Sequence, residues 1–302
     1  MAFSSVSVQS SRFEWAATSL LAAFLAALHF FGPATAHARA LKPSLPFVDI
    51  VVLVPSPWKW DARRLHVFDA FLGTAARAAP RFTAKLIFVM GDDAVPASLT
   101  PTDARIAAHP SVLFVTAPAC PDLDTHWPGA SDGAMFPPAN SSTTCKVLEG
   151  AAVAVEKYRF KYFARAGDDA YLRWDYFLAE RAGAYPSEHL YLGSESGRQG
   201  VFTHLFDTFG MGFFLPYMTG QGWILTHDVT SALRDGYRRS PRLTTAGPED
   251  AAIALHLFPF DVTAVSSVDF HDPSTHACNR EDVLVHYVTD AMVRRNKKQY
   301  VV

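Results

Sequence analysis

The chain has 302 residues, of which 49% are hydrophobic and 19% are charged. This composition is typical of a globular protein with a sizeable core and excludes a disordered chain, and the length suits one large domain or two small ones. A formal net charge of −2 argues against broad binding of nucleic acid, which requires a basic surface.

The N-terminal segment has the pattern of a targeting sequence. Arg12 precedes an apolar run, Trp15 to Phe31, and small-residue patterns follow at Ala34–Ala36 and Ala36–Ala38. The run is longer than a signal-peptide core of about 7–15 residues and shorter than a full membrane span of about 20 residues. We therefore expect residues 1–40 to be either a signal anchor with a short stem, which we favour, or a cleaved signal peptide.

Whichever way this segment is processed, we expect residues 41–302 to form one domain that faces the secretory lumen. The glycosylation sequon at Asn140 fits that compartment. The chain has three cysteines, Cys120, Cys145 and Cys278, which are too few for a disulfide scaffold and lack the spacing of a metal site. We predict one disulfide, between Cys120 and Cys145, and one free thiol.

The first half of this domain alternates apolar runs of strand length with segments of helical periodicity. The runs are Pro46–Pro55, Ala84–Met90, Val112–Val115 and Tyr162–Ala166, and the helical segments are Asp61–Arg77 and Thr144–Tyr158. Continuous apolar runs are typical of strands buried on both faces, and their alternation with helices predicts an α/β fold with a parallel sheet. Ligands of such sheets bind beyond the carboxyl ends of the strands.

The second half is less regular. Helices are predicted at Trp174–Ala182, His227–Arg234, Asp250–Leu257 and Val288–Lys297, and short strands at Leu190–Leu192 and Val283–His286 are expected to complete the sheet. The long polar segment Pro118–Ser142 predicts a functional or disordered loop. The aromatic, glycine-rich segment Phe206–Trp223 suits either the wall of a binding cleft or ordinary core and turn.

Two pairs of acids stand out. Asp168 and Asp169 follow the fourth strand, and adjacent carboxylates resist burial unless a cation accompanies them. A divalent metal that also holds a phosphorylated ligand would satisfy them, although Asp is also an ordinary turn residue. Glu249 and Asp250 open a predicted helix after Pro248, where acids favour the helix dipole without any catalytic role.

The order of these segments from Pro46 to Val288 resembles the inverting β-1,3-glycosyltransferases of the galactosyltransferase, Fringe and core-1 type (family 31). The resemblance rests on Arg63-Arg64, KLIFVMG (Lys85–Gly91), Thr144-Cys145-Lys146, KYFARAGDDAYL (Lys161–Leu172), LPYMTGQGWILT (Leu215–Thr226), Pro248-Glu249-Asp250 and VLVHYV (Val283–Val288). It implies a GT-A fold, in which a Rossmann-like, mostly parallel sheet is flanked by helices.

The resemblance also implies roles for particular residues. Asp169, Asp168 and His286 are expected to hold Mn²⁺, which tolerates carboxylate, imidazole and phosphate ligands. Asp250 is expected to be the general base that deprotonates the acceptor hydroxyl, with Glu249 as the second choice. The contacts expected with the UDP-sugar donor are made by Asp168, Arg63, Lys146, Gly220, Gly222, Trp223 and Tyr217.

The implied activity is transfer of a hexose, galactose or N-acetylglucosamine, from a UDP-sugar to a hydroxyl of a glycan or glycoprotein in β-1,3 linkage. The implied location is the lumen of the Golgi or endoplasmic reticulum. Gly167 stands where the family has the first of three aspartates, which keeps open a catalytically inactive, lectin-like protein that binds glycans. A metal-dependent phosphoesterase ranks last, because the scattered histidines lack the spacing of a two-metal cluster.

Overall fold

The computed structural model describes residues 44–92, 95–118, 120, 142–196, 212–239, 248–271 and 281–285. Its strands are β1 (Phe47–Pro55), β2 (Ala84–Gly91), β3 (Val112–Ala117), β4 (Arg159–Ala166), β5 (Tyr171–Leu172), β6 (Leu190–Ser196), β7 (Tyr217–Thr226), β8 (Thr263–Ser266), β9 (Phe270–His271) and β10 (Leu284–Val285). Its helices are α1 (Asp61–Ala78), α2 (Pro101–Ala107), α3 (Ser142–Lys157), α4 (Trp174–Tyr176), α5 (His227–Arg239) and α6 (Glu249–Leu257). A π-helical turn (Phe177–Arg181) and a 3₁₀ turn (Ala182–Ala184) continue α4.

Seven strands form the main sheet in the order β3-β2-β1-β4-β7-β6-β8. Strands β1 to β4 are parallel, β7 runs antiparallel to both β4 and β6, and β8 is parallel to β6. Only β7 therefore opposes the common direction of this sheet. The α/β fold with a mostly parallel sheet is confirmed, and the carboxyl end of β4 shares an edge of the sheet with the amino end of β7.

The core lies on both faces of this sheet. Side chains of β1 alternate between the two faces, so Val51 and Leu53 pack with α3 while Ile50 and Val52 pack with α1. Gly150 of α3 lies so close to Leu53 that a Cβ atom would collide with its side chain. Helices that cover both faces explain why β1 and β2 are continuous apolar runs rather than alternating ones.

A second sheet has three strands in the order β5-β10-β9. The prediction that the segment Val283–His286 completes the main sheet is wrong, because Leu284 and Val285 pair with Leu172 and Tyr171 of β5. The small sheet nevertheless contacts the main one, since the Leu284 side chain lies against Gly222 of β7.

A disulfide joins Cys120 to Cys145, as predicted, and it ties the chain after β3 to the first turn of α3. Cys278, most of the predicted loop Pro118–Ser142 and the predicted helix Val288–Lys297 lie outside the described residues.

The described residues from Leu45 onward form one compact unit. No helix within the described ranges is both long enough and apolar enough to cross a membrane. The apolar run Trp15 to Phe31 lies outside those ranges, so the boundaries proposed for the N-terminal segment stay a prediction.

Candidate functional site

The acids predicted to hold a metal lie just beyond the carboxyl end of β4. Asp168 is buried, and its neighbour Asp169 is half-buried. Ser56, which follows the adjacent strand β1, donates its hydroxyl to Oδ2 of Asp168 at 3.2 Å. Arg63, from the first turn of α1, places Nη1 3.5 Å from Oδ1 of the same carboxylate. The two neighbouring parallel strands thus deliver a hydroxyl and two acids to one point.

The charge balance at this point favours a cation. Burial, together with the charge of Asp169, raises the pKa of Asp168 to about 6, and Arg63 and Ser56 only partly oppose the shift. A carboxylate pair that is costly to ionise without a counter-charge fits a hard divalent ion, which supplies that charge.

The third predicted metal ligand, His286, lies outside the described residues. Val285, the residue before it, pairs with Tyr171, which is two positions after Asp169. Among the residues that the structure describes, no group of three or more His, Cys, Asp or Glu side chains is placed to hold a metal ion. The metal role therefore stays a prediction for Asp168, Asp169 and His286 alike.

The two adjacent arginines at the start of α1 bind different acids. Arg64 is fully buried, and its Nε and Nη2 donate to the two carboxylate oxygens of Asp103 at 2.8 Å each. It also donates to the carbonyl oxygens of Pro57 and Trp58, so it fixes the β1–α1 loop. Arg63 stays 37% exposed and reaches Asp168, which leaves it as the arginine of this pair that faces the acidic site.

Lys146 is buried in the first turn of α3. Its Nζ donates to the backbone oxygen of Ser56 at 3.4 Å. The hydroxyl of the same serine contacts Asp168, so Lys146 is connected to the acidic pair through Ser56. The structure thus brings Lys146 and Asp168, together with Nη1 of Arg64 at 3.3 Å, around Ser56, while Arg63 contacts the other oxygen of Asp168.

The second pair of acids opens α6. Oδ2 of Asp250 accepts a hydrogen bond from the backbone N–H of Gly220 at 3.0 Å, and Oδ1 accepts one from the N–H of Ala251 at 2.9 Å. Burial raises the pKa of Asp250, and these two backbone donors oppose the shift. The carboxylate is therefore held rigidly, and its proton affinity is raised by its surroundings.

Glu249 belongs to a buried ion pair. Its Oε2 lies 2.6 Å from Nη2 of Arg165, and both side chains are under 10% exposed, at 7% and 8%. Burial raises the pKa of Glu249 despite the opposing charge of Arg165. Arg165 also donates through Nη1 to the backbone oxygen of Gly220, so one guanidinium joins Glu249 to the residue that orients Asp250.

Sequence reasoning did not single out Arg165. The available signal was its position, because it is a charged residue inside the buried half of an apolar strand, three residues before Asp168. A charge at such a position needs a buried partner of opposite sign. Glu249 is that partner.

Three residues predicted to contact the donor are engaged within the protein. Trp223 is fully buried, with its ring centroid 6.1 Å from that of Phe163 and 6.0 Å from that of Tyr191, so it has no exposed face for a sugar. Gly222 has φ of 155°, and an added Cβ would lie 2.8 Å from the backbone oxygen of Arg165. Packing therefore accounts for this glycine without a ligand.

Tyr217 is also buried, in edge-to-face contact with Phe214 at 6.1 Å.

The side chains next to Gly220 in sequence contain polar atoms that none of the described residues satisfies. Within the described part of the chain, Thr219 Oγ1 and Gln221 Oε1, on either side of Gly220 in sequence, are buried without a hydrogen-bond partner. Buried polar atoms usually have partners, so each of these two side chains is suited to a polar ligand or an ordered water.

The acids after β4 and the acid at the start of α6 lie at the same edge of the main sheet. The last β4–β7 pair is Ala166 with Gly222. Asp168 lies two residues beyond this pair on one strand and Gly220 two residues beyond it on the other. Since the strands are antiparallel neighbours, both positions lie at the same edge, and Asp250 is held there by Gly220.

Comparison with known proteins agrees with the resemblance inferred from the motifs. No family model matches the chain. Over 165 residues, 49% of this chain and 47% of the relative, it is 27% identical to β-1,3-galactosyltransferase 6 of Mus musculus. The chain thus spans about half the length of this curated relative. The similarity confirms the predicted likeness to the β-1,3-galactosyltransferase family.

Comparison with solved structures gives glycosyltransferases at low sequence identity. The galactosyltransferase LgtC in complex with donor and acceptor sugar analogues is 11% identical, with 80% of this chain and 88% of that chain covered and a TM-score of 0.43. An active-site mutant of LgtC gives 10% identity, coverage of 82% and 94%, and a TM-score of 0.44. The apo form of GlyE from Streptococcus pneumoniae TIGR4 gives 9%, coverage of 80% and 55%, and 0.39. The fold class rests on the strand order and directions described above.

Proposed function

We propose that this chain, a relative of the β-1,3-galactosyltransferases, is an inverting, metal-dependent hexosyltransferase. It moves galactose or N-acetylglucosamine from a UDP-sugar to a hydroxyl of a glycan or glycoprotein, in β-1,3 linkage. The observation that carries the proposal is that an acidic pair suited to a cation and a separately held carboxylate lie at the same edge of the sheet.

The donor half of the site is the end of β4 with its surroundings. Asp169 and Asp168, with His286, would hold Mn²⁺, which when bound neutralises charge on the departing diphosphate. Arg63 is the exposed cation beside Asp168 and is suited to the nucleotide phosphates. Lys146 reinforces the positive charge near Ser56.

The acceptor half is the start of α6. Asp250 takes the proton of the acceptor hydroxyl while that oxygen attacks the anomeric carbon on the face opposite UDP. Two backbone N–H groups hold this carboxylate in place, so it needs no reorganisation during the reaction. The pKa of Asp250, raised by burial, makes the carboxylate a stronger base than an exposed aspartate.

The location that we propose is the lumen of the Golgi or endoplasmic reticulum, with the N-terminal apolar run as a membrane anchor. The Cys120–Cys145 disulfide supports it, because stable disulfides are typical of oxidising compartments and rare in the cytosol.

The activity is tested by UDP release from a panel of UDP-sugars, with a mixed glycan pool as acceptor and with Mn²⁺ or EDTA. Release from one sugar that EDTA abolishes would support the proposal and identify the donor. UDP binding without turnover, for every pairing of UDP-sugar and acceptor, would instead favour the inactive, lectin-like protein. That alternative rests on Gly167, which stands where the family has an aspartate.

The metal role predicts a large effect of Asp169→Ala on donor binding. Removal of this carboxylate should lower the Mn²⁺-dependent affinity for UDP by about tenfold or more, because the ion loses a ligand. Isothermal titration with UDP measures it, and Asp69→Ala serves as the control, since Asp69 is an exposed acid paired with Arg105. Undiminished Mn²⁺-dependent binding by Asp169→Ala would contradict the metal role.

Arg63→Gln should separate binding from stability. The Arg63 side chain is 37% exposed, so we expect the free energy of unfolding to change by less than about 1 kcal/mol in urea denaturation. UDP affinity should fall several-fold, because the guanidinium no longer faces the phosphates. Unchanged UDP affinity would remove Arg63 from the donor site.

A further inference from the structure

Arg165, near the carboxyl end of β4, connects the two acids that open α6. Its side chain is buried, and its Nη2 lies 2.6 Å from Oε2 of Glu249. Its Nη1 donates to the backbone oxygen of Gly220 on the neighbouring strand β7. The backbone N–H of the same glycine donates to Oδ2 of Asp250 at 3.0 Å. One guanidinium therefore contacts Glu249 directly and Asp250 through a single residue.

The two acids differ in exposure, although they are adjacent in the chain. Glu249 is buried, whereas Asp250 is partly exposed. Consecutive side chains of a helix point about 100° apart, so the direction of one acid sets that of the other. The ion pair with Arg165 holds Glu249 in the interior. It thereby leaves Asp250 as the acid of the pair that a substrate can reach.

Asp250 keeps the capacity to bind a hydroxyl. A carboxylate has about four acceptor positions, and the N–H groups of Gly220 and Ala251 occupy one on each oxygen. Burial raises the pKa of Asp250, and the backbone donors together with the charge of Arg165 oppose the shift. The arginine thus favours the ionised carboxylate, which is the form that takes up a proton.

We propose that Arg165 is a positioning residue for the transfer reaction. It holds Gly220 by its carbonyl oxygen, in the orientation in which the N–H of this glycine meets Asp250, and it keeps Glu249 turned inward. The base is consequently in place before the acceptor binds, and no reorganisation is needed when the proton moves. The inference rests on the proposed function, because Arg165 has its role through Asp250. A purely structural ion pair would stabilise the fold and leave the rate of transfer unchanged.

The positioning is tested first by a measurement that needs no reaction. The full chain, isotope-labelled at its glycine residues, is followed by NMR, and Gly220→Ala identifies the Gly220 signal. The variant Arg165→Met, Glu249→Leu buries no charge, so it should remain folded. We expect hydrogen exchange at the Gly220 N–H to become at least about tenfold faster, because the carbonyl of this glycine loses its donor. Unchanged exchange would overturn the proposal, whatever the transfer assay gives.

The matched control is Arg77→Met, Asp175→Leu. It removes an ion pair of 2.7 Å between α1 and α4, which includes neither Gly220 nor Asp250. Exchange at Gly220 and the rate of transfer should both match the wild type. An equal change in the two double variants would show that loss of any ion pair produces the effect, and would contradict the proposal.

Transfer kinetics separates positioning from a structural role. In Arg165→Met, Glu249→Leu, kcat should fall about tenfold or more, while the KM for the UDP-sugar stays within about twofold. The same pair of substitutions added to Asp250→Asn should cost less than about threefold further, since Arg165 acts through Asp250. Losses that multiply in this combined variant, or an unchanged kcat, would refute the positioning role. Absence of transfer by the wild type would count against the proposed function instead, and exchange at Gly220 would then decide the role of Arg165.

Discussion

Replacement of Asp250 with asparagine is expected to lower the rate of sugar transfer by about 10²–10⁴-fold, because the acceptor hydroxyl loses its general base. The affinity for UDP should stay within about twofold, since Asp250 lies on the acceptor side of the proposed site. Transfer at saturating donor and calorimetric binding of UDP measure the two effects separately.

The control for Asp250→Asn must separate chemistry from structure. Asparagine has one acceptor oxygen in place of two, so one of the bonds from Gly220 and Ala251 is lost. A melting temperature close to that of the wild type would show that this loss is tolerated. Normal turnover by Asp250→Asn would remove Asp250 from the base role and make Glu249→Gln the next variant.

Replacement of Arg165 with methionine is expected to lower the free energy of unfolding by about 3–5 kcal/mol, as measured in urea. The variant leaves the buried carboxylate of Glu249 without the cation that now lies 2.6 Å away. The double variant Arg165→Met, Glu249→Leu should recover much of this loss, because it buries no charge. Equal losses in the single and double variants would show that the ion pair is not the cause.

The same variant has a predictable pH dependence. Burial raises the pKa of Glu249 in the folded state above its unfolded value, and Arg165 opposes that shift. Without Arg165 the folded pKa rises further, so the folded protein takes up a proton that the unfolded chain releases. The destabilisation should therefore be larger at about pH 8 than at about pH 5. A destabilisation that does not change with pH would contradict the burial of an unpaired Glu249.

Sequence patterns predicted the long elements of the fold, in which an apolar run or a helical period extends over many residues. Strands β1 and β2 are buried on both faces, so each forms an unbroken apolar run. Helix α1 has apolar positions at helical spacing over 18 residues. Long elements carry enough positions for a period to be recognised.

The pairing of the last short strand and the existence of one short helix could not be predicted in this way. Strand β10 has two residues, and its pairing with β5 depends on contacts that no local pattern contains. Helix α2 was also missed, although Thr100 caps it by accepting from the N–H of Asp103, and Pro101 follows the cap. That start signal was present in the sequence, but seven residues are too few to show a period.

In the candidate site, too, some residues could be assigned from local sequence, whereas the surroundings of others depend on distant elements. Asp168 and Asp169 were singled out because adjacent acids at a strand end resist burial without a cation, whereas the base role of Asp250 came from the motif resemblance. All three roles stay predictions. Trp223 was assigned to the donor from its motif, whereas the structure buries it against Phe163. Whether an aromatic ring faces a ligand or the core depends on the neighbouring strands, which the motif does not encode.

The bond between Cys120 and Cys145 gives the chain a covalent ring with a sequence separation of 25. In an open chain, each doubling of a loop costs about 0.6 kcal/mol of closure entropy. Here the two ends stay together even when the protein unfolds, so that cost largely disappears. Residues can consequently be inserted into the ring or deleted from it, by evolution or by design, with little change in the closure contribution to the free energy of unfolding. Variants of this chain that differ only by a few residues in ring length should therefore melt at similar temperatures.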